Sequence, residues 1–315
     1  MIETTNEILN EIKKVIIGKD TQIKKILTAI YAGGHVLIED VPGVGKTTAA
    51  LAFSKVFGLE FTRVQFTPDT VASDIIGYSA YDRETNKFEY RPGSAMTNIL
   101  LADEINRTSG KTQSALLEVM EEGGCTVDGI TYKVPQPFIV LATQNPFGSA
   151  GTSKLPESQL DRFMIKLSMG YPDKESMKNI LKDRHHENPL DKIKEICSAQ
   201  RLLEIRKQCE NIFVADDIYD YIAELCRQSN CDENVALGIS PRGALALCKM
   251  SKANAFIEDR EYVTPADVRA CFKFVCAHRI VPSPKAKIAE LTSEQILDNI
   301  AKKVKSPETP TDRKN

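Results

Sequence analysis

The chain has 315 residues, 41 Lys and Arg against 43 Asp and Glu, and a formal net charge of −2 with its four histidines neutral. At 42% hydrophobic and 27% charged residues it has the composition of a soluble globular protein of about two domains, which excludes collagen-like and disordered classes. The near balance of charge argues against a broad basic face for nucleic acid, because phosphate binding needs clustered Lys and Arg.

The first residues, MIETTNEILNEIKK, mix acids and bases and lack the basic start, apolar run and cleavage site of a secretory signal. No window approaches 18 uninterrupted apolar residues, so no membrane insertion is expected and the expected location is cytoplasmic. The eight cysteines (125, 197, 209, 226, 231, 248, 271, 276) are then expected as reduced core thiols. Histidines 35, 185, 186 and 278 form no zinc spacing with them. Ile8, Ile12 and Val15 mark a leading helix and Ile23, Ile26, Leu27 and Ile30 a second, so residues 1–34 read as helices that lead into the core.

From residue 35 to 170 short apolar runs alternate with helical stretches: HVLIE (35–39), FTRVQF (61–66), NILLAD (98–103), FIVLAT (138–143) and RFMIKLS (162–168). Runs this apolar suit strands buried on both faces of a parallel sheet, and the alternation predicts a doubly wound α/β domain. The first run enters DVPGVGKTTAALAF, a Pro/Gly turn that opens a helix at Gly-Lys-Thr, which is the setting of a phosphate-binding loop. Gly43 and Gly45 let the backbone N–H groups of the loop, with those of Val44 and Thr48, curl around phosphate. Lys46 would reach the β and γ oxygens, and the Thr47 hydroxyl would face Mg²⁺. The strict pattern is broken once, by Asp40 in place of its first glycine.

GYSAYDRETNKFEYRPG (77–93) reads as a β-hairpin with a polar tip, and GCTVDGITYKV (124–134) as a second with its turn at Asp128-Gly129. Between them NILLADEIN ends a buried strand in two adjacent acids. Hydrolysis of a phosphoanhydride needs one carboxylate in the metal shell and one beside the attacking water, and Asp103 and Glu104 can divide those roles. FIVLATQNP ends in Asn145, whose amide can donate to a γ-phosphate and accept from water. At the carboxyl ends of a parallel sheet these strand ends converge.

After Tyr171-Pro172 helix signals take over, with Ile218, Tyr221, Ile222 and Leu225 on one face and Thr264-Pro265-Ala266-Asp267 opening another helix. Residues 171–281 read as a small all-α domain. Residues 282–315 read as a C-terminal helix and, beyond about residue 301, a disordered tail.

Together these residues resemble the AAA+ ATPases, and within them the MoxR family of the helix-2-insert clade. The resemblance also rests on IGKD (17–20), QFTPDTVASDIIG (65–77), YRPG (90–93), DEINR (103–107), LPESQLDRF (155–163), ISPRG (239–243) and YVTPADV (262–268), and it covers about residues 7–281. It implies a P-loop AAA+ core followed by a helical lid, with ATP and Mg²⁺ as cofactors and Asp103 and Thr47 at the metal. It also implies nucleotide contacts at Ile17 and Gly18, an arginine finger at Arg162 reaching a neighbouring subunit, and a sensor-2 arginine at Arg242, whose subunit of action differs among related clades. For Arg162 the competing reading is a helix-end salt bridge to Asp161. The 77–93 hairpin matches the insert that lines the inner face of a ring.

The implied function is ATP hydrolysis in a ring, commonly a hexamer, that remodels or activates client proteins together with a von Willebrand factor A domain partner. The alternative is a nucleic-acid translocase of the same clade, which the balanced charges near Arg83 and Lys87 disfavour. A non-hydrolysing switch is disfavoured by the presence of Glu104 and Asn145.

Overall fold

A computed structural model describes residues 2–146, 155–183 and 189–308. Two helices, α1 (Ile2–Lys13) and α2 (Asp20–Tyr31), precede β1 (Val36–Glu39), and α3 (Lys46–Val56) follows directly from the glycine turn. Next come β2 (Phe61–Gln65), α4 (Ala72–Ile76), the hairpin β3 (Tyr78–Asp82) and β4 (Lys87–Arg91), then β5 (Ile99–Asp103) and α5 (Gly110–Glu122). A second hairpin, β6 (Gly124–Val127) and β7 (Ile130–Lys133), leads to β8 (Ile139–Gln144), α6 (Glu157–Leu160) and β9 (Ile165–Leu167).

Strands β2, β5, β8, β1 and β9 form, in that order, one five-stranded parallel sheet. The continuous apolar runs of β1, β5 and β8 follow from burial on both faces, while the edge strand β2 leaves Arg63 and Gln65 exposed. Val36 and Ile38 point into one cluster with Ile99, Leu101, Ile139 and Leu141, while Leu37, Leu100, Ala102, Val140 and Ala142 point into the other, under α5. Side chains alternate along a strand, so a strand covered on both sides must be apolar at every position. In β6–β7, Val127 pairs with Ile130 and the two turn residues Asp128 and Gly129 take φ of 49° and 80°, the left-handed pair that a two-residue hairpin turn needs.

The carboxyl-terminal half is α7 (Lys174–Asp183), α8 (Ala199–Glu210), α9 (Asp216–Cys231), α10 (Pro241–Ile257), α11 (Pro265–Cys276), α12 (Pro284–Ile288) and α13 (Ser293–Lys303). Its helices carry the expected signals. Thr264 and Asp267 form a capping box at α11, and Ile218, Tyr221, Ile222 and Leu225 are buried along α9. Their apolar faces join the cluster that α1, α2 and α3 build against the sheet, with α10 packed on α2 and α11 on β9. Three details differ from the sequence reading. The lid also carries a short antiparallel ribbon, β10 (Val235–Leu237) with β11 (Val281–Pro282), too brief to show a strand pattern. The 162–168 run supplies only Ile165–Leu167 as strand, because residues up to Phe163 close the turn after α6. Helix α13 continues to Lys303, and residues 309–315 of the expected tail lie outside the described residues.

Candidate functional site

The turn between β1 and α3 is a nest of backbone donors. Gly43 and Gly45 take φ of 86° and 93°, in the region that glycine enters without steric cost. Gly45 is the N-cap of α3, and no side chain caps that helix end. Its first N–H groups and its positive dipole end are therefore directed at whatever anion enters. Lys46 lies at the loop, its Nζ donating to the carbonyls of Asp40 at 2.8 Å and Val41 at 3.2 Å. Burial lowers its pKa, and the charges of Asp103, Asp40 and Glu104 act against that shift.

Asp40 replaces the usual first glycine for a visible reason. Its Oδ2 accepts from Ser168 Oγ (3.0 Å), Met169 N (2.5 Å) and Gly170 N (2.9 Å), which ties the end of β1 to the chain leaving β9. A glycine there would leave those donors at the core-to-lid connection without that acceptor.

The acids at the end of β5 lie across the cavity. Asp103 accepts from Thr143 Oγ1 at 2.6 Å and pairs with Arg63 at 2.7 Å. Glu104 has φ 56°, a left-handed conformation uncommon outside glycine and asparagine. Its N–H is fixed by Thr143 Oγ1 at 2.9 Å, and its Oε2 is held by Gln65 Nε2 at 3.1 Å and Arg107 Nη1 at 2.9 Å. Thr143 on β8 thus bonds both acids. Thr143, Gln65 and Arg63 were given no role by sequence reasoning, because their proximity comes from the pairing β2–β5–β8, and neither was Arg107, which meets Glu104 locally, three residues along the chain. The available signal was position, since each stands at or near the carboxyl end of a strand of this sheet.

A cavity of 630 Å³ is lined by Gly43 through Thr48, Arg63, Gln65, Asp103 and Glu104, and on its far side by Ile17, Lys19, Tyr171, Pro172, Met177 and Ile180. Two expected residues sit differently. Gly18 (φ 72°) does not line the cavity but abuts the start of α7, where an added Cβ would lie 2.1 Å from Ser176 Oγ. Asn145 follows the end of β8 and is not part of the cavity wall. The apolar far wall, closed by Lys19 Nζ on the Tyr171 carbonyl at 2.7 Å, was not foreseen beyond Ile17.

Arg162 and Arg242 are together, but elsewhere. They line a second depression of 290 Å³ that shares no residue with the first. Arg162 Nη1 donates to the Leu117 carbonyl at 2.7 Å and lies 3.1 Å from Glu121 Oε2, and Arg242 bonds the other oxygen of Glu121. The bridge that sequence reasoning set against the finger, Arg162 with Asp161, is replaced by these contacts. Asp161 instead takes Arg279 Nε at 2.8 Å and Ser240 Oγ at 2.8 Å.

Residues 35–165 match the ATPase family associated with various cellular activities (AAA), and residues 227–300 the AAA lid domain. The chain is 44% identical over 299 residues to the uncharacterised YeaC of Bacillus subtilis, covering 95% of this chain and 93% of that one. It is 37% identical over 316 residues to the chaperone MoxR1 of Mycobacterium tuberculosis, covering 98% of this chain and 83% of that one. A crystal structure of a protein assigned as an ATPase from Cytophaga hutchinsonii superposes with a TM-score of 0.90 at 36% identity, covering 98% of this chain and 96% of that one.

Proposed function

The chain belongs to the MoxR family of AAA+ ATPases, and on that premise we propose that it hydrolyses Mg²⁺-bound ATP at sites completed between the subunits of a ring, and uses that turnover to remodel or activate partner proteins. The observation that carries this reading is the division of the machinery. Lys46, Thr47, Asp103 and Glu104 line one cavity, and Arg162 and Arg242 line another with no residue in common. Neither Arg162 nor Arg242 lines the cavity of its own subunit, which supports a site completed by a neighbour.

The donor set of the first cavity fits a nucleotide with a divalent ion. The uncapped start of α3 and Lys46 suit the phosphates. The Thr47 hydroxyl and the Asp103 carboxylate, both in the cavity wall, are hard oxygen ligands suited to Mg²⁺. Arg63, which pairs with Asp103, has a side chain 48% exposed and so has water on its open side into which to withdraw. Bound there, Mg²⁺ would neutralise charge on the β and γ oxygens. Glu104 would accept a proton from the attacking water, and its contacts with Gln65 and Arg107, which hold its carboxylate by one oxygen, support that role. Ile17, Tyr171, Met177 and Ile180 supply an apolar wall for the base.

Arg162 and Arg242 would both serve the neighbour's nucleotide, a reading supported by their place in a depression that shares no residue with the cavity of Lys46. The family resemblance supports a six-membered ring and a partner with a von Willebrand factor A domain. The test is ATP hydrolysis against protein concentration, with Mg²⁺ and with EDTA. Specific activity is expected to rise with concentration and to vanish with EDTA. Activity that is independent of concentration down to the monomer would contradict the shared site.

A further inference from the structure

Glu121 stands on the last turn of α5, and its carboxylate is shared between two guanidiniums. Oε2 lies 3.1 Å from Arg162 Nη1, while Oε1 accepts from Arg242 Nη2. The two arginines come from opposite sides of the core-to-lid junction, one from the turn after α6 and one from the first turn of α10. Their spacing is set by a bolt that does not involve Glu121. Asp161, beside Arg162, accepts from Ser240, the N-cap of α10, and from Arg279. Arg279 is itself 6% exposed and donates to the carbonyls of Phe163 at 2.6 Å and Met164 at 3.2 Å. Arg162 is held a second time by the Leu117 carbonyl.

Two guanidiniums fixed side by side repel each other unless an anion sits between them. The N-terminus of α10 and Lys249, in the wall of the same depression, add to the positive field. Among the described residues the anion the arginines share is Glu121.

We propose that Glu121 is the resident counter-ion of this arginine pair and yields it to the terminal phosphate of ATP on the neighbouring subunit, so that Glu121 sets how strongly nucleotide drives assembly. This rests on the reading that both arginines act across the interface. The exchange has the right sign. The side chains of Arg162, Arg242 and Glu121 are 30%, 44% and 37% exposed, and ion pairs this solvated are weak. A terminal phosphate presents three oxygens and more negative charge to the same two forks, a stronger bidentate acceptor. Where a neighbour brings ATP the phosphate takes the pair. Where none does, the carboxylate cancels half of the pair's charge, and nucleotide-free subunits gain nothing at this site from meeting.

The experiment is sedimentation velocity over a protein concentration series, with Mg²⁺ and a slowly hydrolysed ATP analogue or without nucleotide. It compares the full chain with Glu121→Gln, with Glu121→Ala and with the Arg162→Ala/Arg242→Ala pair. The analogue should lower the assembly midpoint of the wild type. Both Glu121 variants should lower it further, by about two- to tenfold, the worth of one or two exposed ion pairs, and leave the nucleotide-free midpoint unchanged. The double arginine variant should lose the response to analogue. A normal response in that double variant would overturn the trans reading and the counter-ion role with it. A lost response there, with Glu121 variants that assemble no more readily than wild type, would overturn the counter-ion role alone.

Discussion

Glu104 shows what a residue's own chemistry requires of its surroundings. In the proposed role of general base it would have to face the attacking water while its backbone makes an abrupt exit from a buried strand. The left-handed φ of 56° does this, and the Thr143 hydroxyl that fixes the Glu104 N–H at 2.9 Å stabilises the turn. Glu104→Gln keeps shape and hydrogen bonding but removes basicity. It is expected to retain ATP binding and lower hydrolysis by roughly 10²–10⁴, read by nucleotide titration beside a phosphate-release assay. Near-normal release would assign the water to another group. The pair Asp103-Glu104 and the Gly-Lys-Thr turn were legible because their chemistry is contiguous in sequence. Gln65, Thr143 and Glu121 were not, because each meets its partner about 40 residues away through sheet pairing or helix packing. Asp40 was legible only as a departure, and its partners Ser168, Met169 and Gly170 explain it.

The β3–β4 hairpin separates the two functional readings at the scale of an element. Asp82 caps its tip by accepting from Glu84 N at 2.8 Å and Thr85 N at 3.4 Å. Arg91 lies between Asp82 and Glu89, 3.9 Å from each. Its cations are thus balanced by acids on the same ribbon, which leaves no track for a phosphodiester backbone. What it does expose is an edge-to-face aromatic pair, Tyr81 and Phe88, with ring centroids 5.4 Å apart and 53% and 75% of their surfaces open. Such a pair suits contact with an apolar protein segment. Fluorescence anisotropy with single- and double-stranded DNA at physiological salt should show binding weaker than micromolar. Sub-micromolar binding with ATP-driven strand separation would favour a translocase. At this scale the buried strands β1, β5 and β8 were readable from their apolar runs, whereas β10 and β11, at three and two residues, are too short to carry a period.

Two buried histidines link stability to pH, His35 within the core and His278 between the core and the lid. His35 sits where β1 begins, taking the Val140 N–H on Nδ1 at 3.0 Å and facing the Met120 carbonyl through Nε2 at 3.1 Å. Burial pushes its pKa down to about 4. His278, between the Phe163 carbonyl and Arg279, lies well below its ordinary value, chiefly from burial and then from the Arg279 charge. In the unfolded chain both titrate near ~6.5. Below that pH the unfolded state binds protons that the folded state refuses, so stability is full above ~6.5 and falls as pH drops, by up to ~1.4 kcal/mol per pH unit for each histidine. Urea unfolding midpoints measured from pH 7.5 to 5 should hold level above about 6.5 and decline below it. A flat or rising profile would mean that these rings are protonated in the fold. Acids with lowered pKa values, such as Asp267 and Asp232, add their own loss only at lower pH, where carboxylates titrate.

Under the proposed function a working site takes Glu104 from one subunit and Arg162 from the next. Mixing Arg162→Ala subunits with Glu104→Gln subunits tests it most directly. Each parent ring lacks one half at every interface, and arginine fingers are worth roughly 10³–10⁵ in rate in well-studied phosphoryl-transfer systems. In a mixed ring some interfaces pair an intact Glu104 with a neighbour's intact Arg162, so ATP turnover should rise above that of both parents. Turnover no higher than the parents', with co-assembly demonstrated on the same samples, would contradict the shared site and return Arg162 to its own subunit.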